Sequence, residues 1–299
     1  MRPHASDRAA VAAVVGAAAL LLSAAPPAAM ASPCCAGATL MPGRLMVHEE
    51  ALVGLDLKLR NELGAFDDDA TFADSSGTEL AFEQGLFGAL RVGGSGQLAV
   101  RIPLLQTFRS FSGEGETGGG LGDLQIEGRW DFVDAGQYLR LPGIALVASA
   151  ALPTGRAPEQ VTKLLGTDAT GTGALQLLAG LQVEQVFDGR IFASAIGSLG
   201  TRAPREVRGV EVPASLLLGA SGSVGLLLPR DAVLAFSASL ASEPDADRRS
   251  LRLGLSAGRP LSDDWRVQGG VFSDPPWGGM GRNQQASLGA TFVLIRSWT

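Results

Sequence analysis

A chain of 299 residues with 46% hydrophobic side chains, 40 glycines and 18% charged residues is more apolar than an ordinary soluble domain, which carries about 25% charged residues. Its formal charge of −6 excludes the basic footprint of a nucleic-acid-binding protein. Two histidines and two cysteines leave little for metal or thiol chemistry and no disulfide framework.

The chain opens as a secretory precursor. Arg2 and Arg8 form a short positive region, residues 9–25 are an apolar run rich in Ala, Val and Leu, and Ala29-Met30-Ala31 offers small residues for cleavage before Ser32. Residues 1–31 are therefore read as a signal peptide. A membrane anchor is the alternative, but Pro26 and Pro27 stop the run short of the ~20 apolar residues a spanning helix needs. Loss of Arg2, Asp7 and Arg8 with the leader makes the mature chain one unit more negative. Residues 32–48 are either a periplasmic tail or a plug inside a lumen. The vicinal pair Cys34-Cys35 could hold a soft metal or oxidise, and is as readily inert. His48 stands alone, without the Ser/His/Asp or Cys/His company that catalysis or zinc would need.

From residue 51 onward the signal is period-two alternation. Leu55, Leu57 and Leu59 alternate with Asp56, Lys58 and Arg60. Leu124, Ile126, Gly128, Trp130 and Phe132 alternate with Asp123, Gln125, Glu127, Arg129 and Asp131. The same rhythm returns in 175–184, 234–240, 251–258 and 287–294. It predicts about twelve strands, near 51–64, 79–91, 97–111, 122–133, 144–153, 173–186, 191–200, 212–227, 232–241, 250–259, 265–272 and 285–295, with ends good to roughly two to four residues. No segment in this region reads as a transmembrane helix.

Connections after even strands are mostly tight, whereas those after odd strands are longer: 65–78, 112–121, 154–172, 201–211, 242–249 and 273–284. Short turns on one rim and long loops on the other are the asymmetry of outer-membrane barrels, with the short turns periplasmic. The predicted fold is an all-β antiparallel transmembrane β-barrel over residues 49–299, in the outer membrane of a Gram-negative-type bacterium after export through the periplasm. Trp130, Phe132, Phe187, Phe192, Trp265 and Trp298 fall near the short-turn rim and read as an interfacial girdle. Such barrels commonly end on an aromatic; here Trp298 precedes the terminal Thr299.

In a barrel the apolar face meets lipid and the polar face turns inward. Asp56, Lys58, Arg60, Glu62, Glu83, Asp123, Glu127, Arg129, Asp131, Glu184, Arg252 and Arg266 are the lumen-lining candidates. They either line an aqueous path or pair across a filled interior; a barrel of about twelve strands lies between the filled and open classes. The acidic run Asp67-Asp68-Asp69 with Asp74 could bind Ca²⁺ or be a solvated loop. Gly118-Gly119-Gly120 is not a phosphate loop, since no Lys-Ser/Thr follows.

Three short motifs occur in order: Gly120-Leu121-Gly122-Asp123 at a strand start, Pro153-Thr154-Gly155 at a strand end, and Gly171-Thr172-Gly173 before the next strand. This arrangement, over residues 80–295, resembles the family named for the putative MetA pathway of phenol degradation, outer-membrane barrels often described as transporters. The resemblance implies a transporter-like barrel, and the family's name implies uptake of aromatic compounds. The motifs themselves sit at strand–loop junctions, where Gly and Pro set turns and close backbone approaches, so they speak for architecture rather than for a solute. The expected function is a channel or transporter for passive passage of small solutes. The alternative is a structural or interaction barrel with a filled interior. Expected partners are outer-membrane lipids, the barrel assembly machinery and small solutes, with no nucleic acid. No enzyme activity, cofactor or metal is expected.

Overall fold

The computed structural model describes residues 44–135, 141–207, 209–275, 277 and 280–299. The expected leader, its cleavage site and the Cys34-Cys35 pair lie outside them. Twelve antiparallel strands close on themselves. They are β1 (Ala51–Phe66), β2 (Thr78–Val92), β3 (Gly96–Phe111), β4 in two segments (Glu114–Leu121 and Leu124–Val133), β5 (Gly143–Leu152), β6 (Gln176–Phe187), β7 (Ile191–Arg202), β8 (Ser215–Leu228), β9 (Ala232–Glu243), β10 (Arg248–Pro260), β11 (Trp265–Asp274) and β12 (Gln284–Trp298). Each pairs with its sequence neighbour, and β12 closes the cylinder on β1 from Ala51↔Trp298 to Phe66↔Gln284. Closure is what a strand protein in hydrocarbon requires, because every backbone N–H and C=O must find a partner within the sheet.

The alternation read from the sequence sets the two faces. On β3, Leu98, Val100, Ile102 and Leu104 are exposed on the outer wall, while Gln97, Ala99 and Arg101 are buried within. The same holds on β6, with Leu177, Leu181 and Val183 outside and Glu184 inside. Trp130, Phe132, Phe187, Trp265 and Trp298 are exposed outward near the short-turn rim, as a girdle requires. Phe192 corrects that set. It is 1% exposed and packs inside against Ala235, because alternation puts its neighbour Ile191 on the outer wall. Three inward rings lie over glycines of adjacent strands: a Cβ at Gly54 would sit 2.3 Å from Phe87, at Gly225 2.3 Å from Phe192, and at Gly289 2.3 Å from Phe272.

The connections after even strands are 93–95, 134–142, 188–190, 229–231 and 261–264. Those after odd strands are longer with two exceptions, the four-residue connection 244–247 between β9 and β10 and the turn after β3. The expected loop 112–121 is instead the first segment of β4, paired with β3 from Phe111↔Glu114 to Leu104↔Leu121. The true turn is only Ser112-Gly113, both at positive φ (52° and 86°), the conformation a two-residue hairpin favours. The glycine-rich run hid this strand, since glycine is depleted in ordinary strands. A second difference is at 212–214, where the expected start of β8 belongs to a loop hairpin (Arg205–Val207 with Val210–Val212).

The rims give a test of orientation. A cysteine placed at Ser76 or Ser112, both on the long-loop rim, is expected to react with an impermeant thiol reagent on intact cells. One at Ser95, in a short turn, is expected to stay unlabelled until the outer membrane is opened. The reverse pattern would turn the barrel over.

Candidate functional site: the barrel interior

Eleven of the twelve lumen candidates belong to the inward-facing register of their strands, and Asp123 lies in the break between the two segments of β4. Most form clusters rather than an even lining. In the middle of the barrel Arg101 ties Asp56 to Glu83. Its Nε and Nη2 donate to Asp56 at 2.9 and 2.5 Å, and Nη2 also to Glu83 at 2.7 Å. Lys58 Nζ stands 3.8 Å from Glu83. Towards the long loops, Glu79 receives Arg109 Nε at 2.8 Å and lies 3.6 Å from Arg60, and Glu62 accepts from Gln285 at 2.7 Å. Arg252 forms a two-pronged pair with Asp274 at 2.7 and 2.9 Å. Arg101, Glu79, Arg109, Glu243 and Asp274 were not among the sequence candidates. Their signal was the same parity, since Arg101 alternates with Val100 and Ile102. Glu127 stands apart: it is 8% exposed and its Oε2 has no hydrogen-bond partner among the described residues.

At the short-turn rim Arg129 donates to Asp131 at 2.7 Å and lies 3.7 Å from Glu184. The N-terminal segment joins this cluster. Arg44 bonds Glu184, and Leu45 N–H donates to Gln97 at 2.8 Å. On the other side Arg266 Nη1 meets Glu49 at 2.5 Å, and Arg91 Nε donates to the Glu49 carbonyl at 2.8 Å. Leu45 packs with Leu52, Phe87, Ala89, Ala99 and Ile295. Residues 44–50 thus run from β1 across the short-turn mouth to β6, five strands round the wall. Of residues 32–48, read from the sequence as a tail or a plug, only 44–48 are described, and they lie against the inner wall at this mouth.

The long-loop mouth is narrowed by the loop 153–175, which folds inward. Here the three short motifs meet. Arg101 faces Gln125 while Leu104 faces Leu121, so β4 carries one extra residue across Gly122-Asp123. Such a bulge re-aims a side chain, and Asp123 is turned to the loop. One carboxylate oxygen accepts from Gly155 N–H at 3.0 Å; the other accepts from Thr172 N–H at 2.7 Å and the Thr172 hydroxyl at 2.9 Å. The Thr154 hydroxyl donates to the Gly122 carbonyl at 2.8 Å and accepts from Leu124 N–H at 2.9 Å. The glycines are required by the close approach. A Cβ at Gly171 would fall 2.3 Å from the Asp123 carboxylate, and one at Gly118 would fall 2.5 Å from Thr167.

Closer to the long-loop rim, Glu116 of β4 accepts from Leu164 and Leu165 N–H at 3.1 and 2.8 Å. Asp168, 3% exposed, bonds Arg156 and accepts from the Thr162 N–H and hydroxyl at 3.0 and 2.8 Å. Burial works against its charge, but Thr162, Arg156 and Lys163 N–H outweigh that and hold its carboxyl below the usual carboxylate range. A depressed carboxylate contributes its stabilisation above its unfolded pKa and loses it only as pH falls through the folded one. The loop therefore stays pinned at neutral and mildly acid pH.

Between the two narrowed ends lies a cavity of about 670 Å³. Asp56, Lys58, Glu83 and Arg101 line one side, and Leu178, Ile196, Leu217, Ser237 and Ser239 another. No group of three or more His, Cys, Asp or Glu suited to a metal occurs among the described residues. Asp67, expected as a possible calcium ligand, instead caps its own loop, accepting from Asp69 and Thr71 N–H at 3.0 and 2.8 Å.

A closed twelve-stranded barrel, apolar outside and polar within, defines the outer-membrane β-barrel class. No protein-family model and no curated protein sequence matches this chain. Solved structures do. An outer-membrane channel of the COG4313 group from Pseudomonas putida F1 is similar with a TM-score of 0.66 at 9% identity, over 85% of this chain and 97% of that one. The translocator domain of the autotransporter NalP from Neisseria meningitidis matches with a TM-score of 0.50 at 13% identity, over 83% and 88% of the two chains. The NanC porin matches with a TM-score of 0.50 at 7% identity, over 83% of this chain and all of that one. These likenesses show the fold and support an outer-membrane location.

Proposed function

We propose that the protein is a narrow outer-membrane channel for passive passage of small solutes. The observation that carries this is the cavity enclosed by the barrel wall, polar and charged on an inner face that soluble cores would fill with apolar side chains. An aqueous path through a barrel is lined by such a face, and charges on it tune what passes. The similarity of fold to an outer-membrane channel supports the reading. The transporter character implied by the three motifs is consistent with it, but those motifs serve the loop clamp and carry no information about an aromatic solute.

In this proposal residues 1–31 are removed on export, and the barrel assembly machinery inserts residues 49–299 with the outer wall against lipid. Residues 44–48 lie in the short-turn mouth. That segment also favours a second reading, a barrel whose interior is filled and which acts through its outer loops, because Arg44 and Glu49 are held by ion pairs on both sides of the mouth. Proteoliposome swelling separates the two. Liposomes holding the mature protein are expected to swell in isosmotic arabinose and not in a tetrasaccharide such as stachyose. No swelling with either sugar would favour the filled barrel.

A further inference from the structure

The nine charged side chains that line the cavity are five cations (Lys58, Arg101, Arg202, Arg248, Arg252) and four carboxylates (Asp56, Glu83, Glu243, Asp274). By count the lining is nearly neutral. Exposure is not. Towards the long loops, the Arg248 side chain is 48% exposed against 6% for its partner Glu243. The Arg252 side chain is 38% exposed against 8% for Asp274.

The carboxylates are occupied. Glu243 Oε1 accepts from Arg202 and from the Ser215 hydroxyl at 2.7 Å, and its Oε2 stands 3.5 Å from Arg248. Asp274 Oδ1 takes Arg252 Nε, and its Oδ2 takes Arg252 Nη2 and the Ser287 hydroxyl at 2.6 Å. Each acid thus sits in the wall and holds an arginine by one edge. A guanidinium has five N–H donors. Arg252 spends its Nε and Nη2 edge on Asp274, while Phe272 stacks 4.7 Å from its central carbon. Arg248 makes one long contact to Glu243 and one at 3.2 Å to the Asn283 carbonyl. At this end of the cavity a solute meets the remaining N–H edges rather than Glu243 and Asp274, whereas on the β1–β3 wall Glu83 is the more exposed partner, 24% against 8% for Arg101.

The β6–β8 wall just inside Arg202 is different in kind. Leu178, Ile196 and Leu217 face the same space, with Ser237 and Ser239 beside them. A small molecule lying along this wall would place one end on guanidinium donors and the other on aliphatic side chains. Guanidinium donors match planar or tetrahedral oxyanions, which they bind in paired hydrogen bonds.

We propose that the cavity admits and selects small organic anions, with a carboxylate, sulfonate or phosphate group at the Arg202/Arg248/Arg252 arc and a short apolar body against Leu178, Ile196 and Leu217. This rests on the channel reading and adds a solute class to it.

The test uses the full mature protein in a planar bilayer, with butanesulfonate as anion and butyltrimethylammonium as cation, neither of which has a neutral membrane-permeant form. Reversal potentials under an asymmetric gradient are expected to show butanesulfonate as the more permeant ion. In Arg248→Gln, whose contacts are the weakest of the arc, the anion-to-cation permeability ratio is expected to fall by about fivefold, the weight of one unit charge at close range in water. Arg248→Lys is expected to retain most of the preference. Gel migration of unheated samples confirms that each variant is folded. A conducting parent with no preference, or with a preference for the cation, overturns the inference and leaves the channel. If the folded parent does not conduct, the channel reading fails by itself. Calorimetric binding of butanesulfonate to the detergent-solubilised protein then decides: binding weakened in Arg248→Gln upholds the anion site, and no binding overturns it.

Discussion

Leu253→Arg is expected to destabilise the barrel by roughly 2–4 kcal/mol, the cost of a lipid-facing arginine near the bilayer midplane. Leu253 lies in the middle of β10, directly opposite Ala238 and Ser273 in an outward-facing register. An arginine there has hydrocarbon around it and no carboxylate. The adjacent substitution Arg252→Ala should behave in the opposite way. Arg252 faces Ser239 on the inner wall, and alanine there buries no new charge. Asp274 loses its guanidinium but keeps the Ser287 hydroxyl and borders a cavity that can hydrate it. On unheated detergent gels Arg252→Ala should give the parent's fast-migrating folded band at near-parental yield, and Leu253→Arg a depleted one. The pair also tests register, because a one-residue slip exchanges the two faces. Equal assembly of both variants would contradict the two-faced wall.

The second large effect is expected at Asp123. Asp123→Ala removes one acceptor group and strands three donors, Gly155 N–H, Thr172 N–H and the Thr172 hydroxyl. A buried donor left without a partner costs about 1–3 kcal/mol, so the inward arrangement of loop 153–175 should lose most of its hold at this end. Trypsin applied to intact cells is expected to cut after Arg156 or Lys163 at least roughly tenfold faster than in the parent, while the barrel remains folded. Asp123→Asn keeps one acceptor oxygen and should fall between. Unchanged proteolysis in Asp123→Ala would mean that Glu116 and the Arg156–Asp168 pair hold the loop without it.

The wall of this protein was legible because lipid on one side and water on the other leave a two-residue period in every strand. That period located all twelve strands and placed Asp56, Glu184 and Arg252 on the inner face. Its failures have physical causes. Residues 115–120 are mostly glycine, and glycine carries no face, so the first segment of β4 read as a loop. Phe192 lies near the short-turn rim like the girdle aromatics, but its parity points it inward. The charge clusters were half visible. Asp56 was recognised, but its partner Arg101 lies two strands away, and pairing across a sheet is a matter of register that one strand does not contain. The loop clamp was present in the sequence only as three motifs. Gly122-Asp123, Thr154-Gly155 and Gly171-Thr172 are separated by about thirty and about fifteen residues, and nothing local says that one carboxylate joins them. Likewise the placement of Arg44 against Glu184 joins positions at opposite sides of the mouth.

Single-channel recording on the refolded mature protein tests the central claim most directly. If the polar inner face is a solute path, the parent should give discrete current steps in a planar bilayer, and Asp123→Ala, with its loop released, should give larger ones. A parent that migrates as a folded, heat-modifiable barrel yet produces no steps, together with an equally silent Asp123→Ala, would contradict a channel and leave a filled barrel.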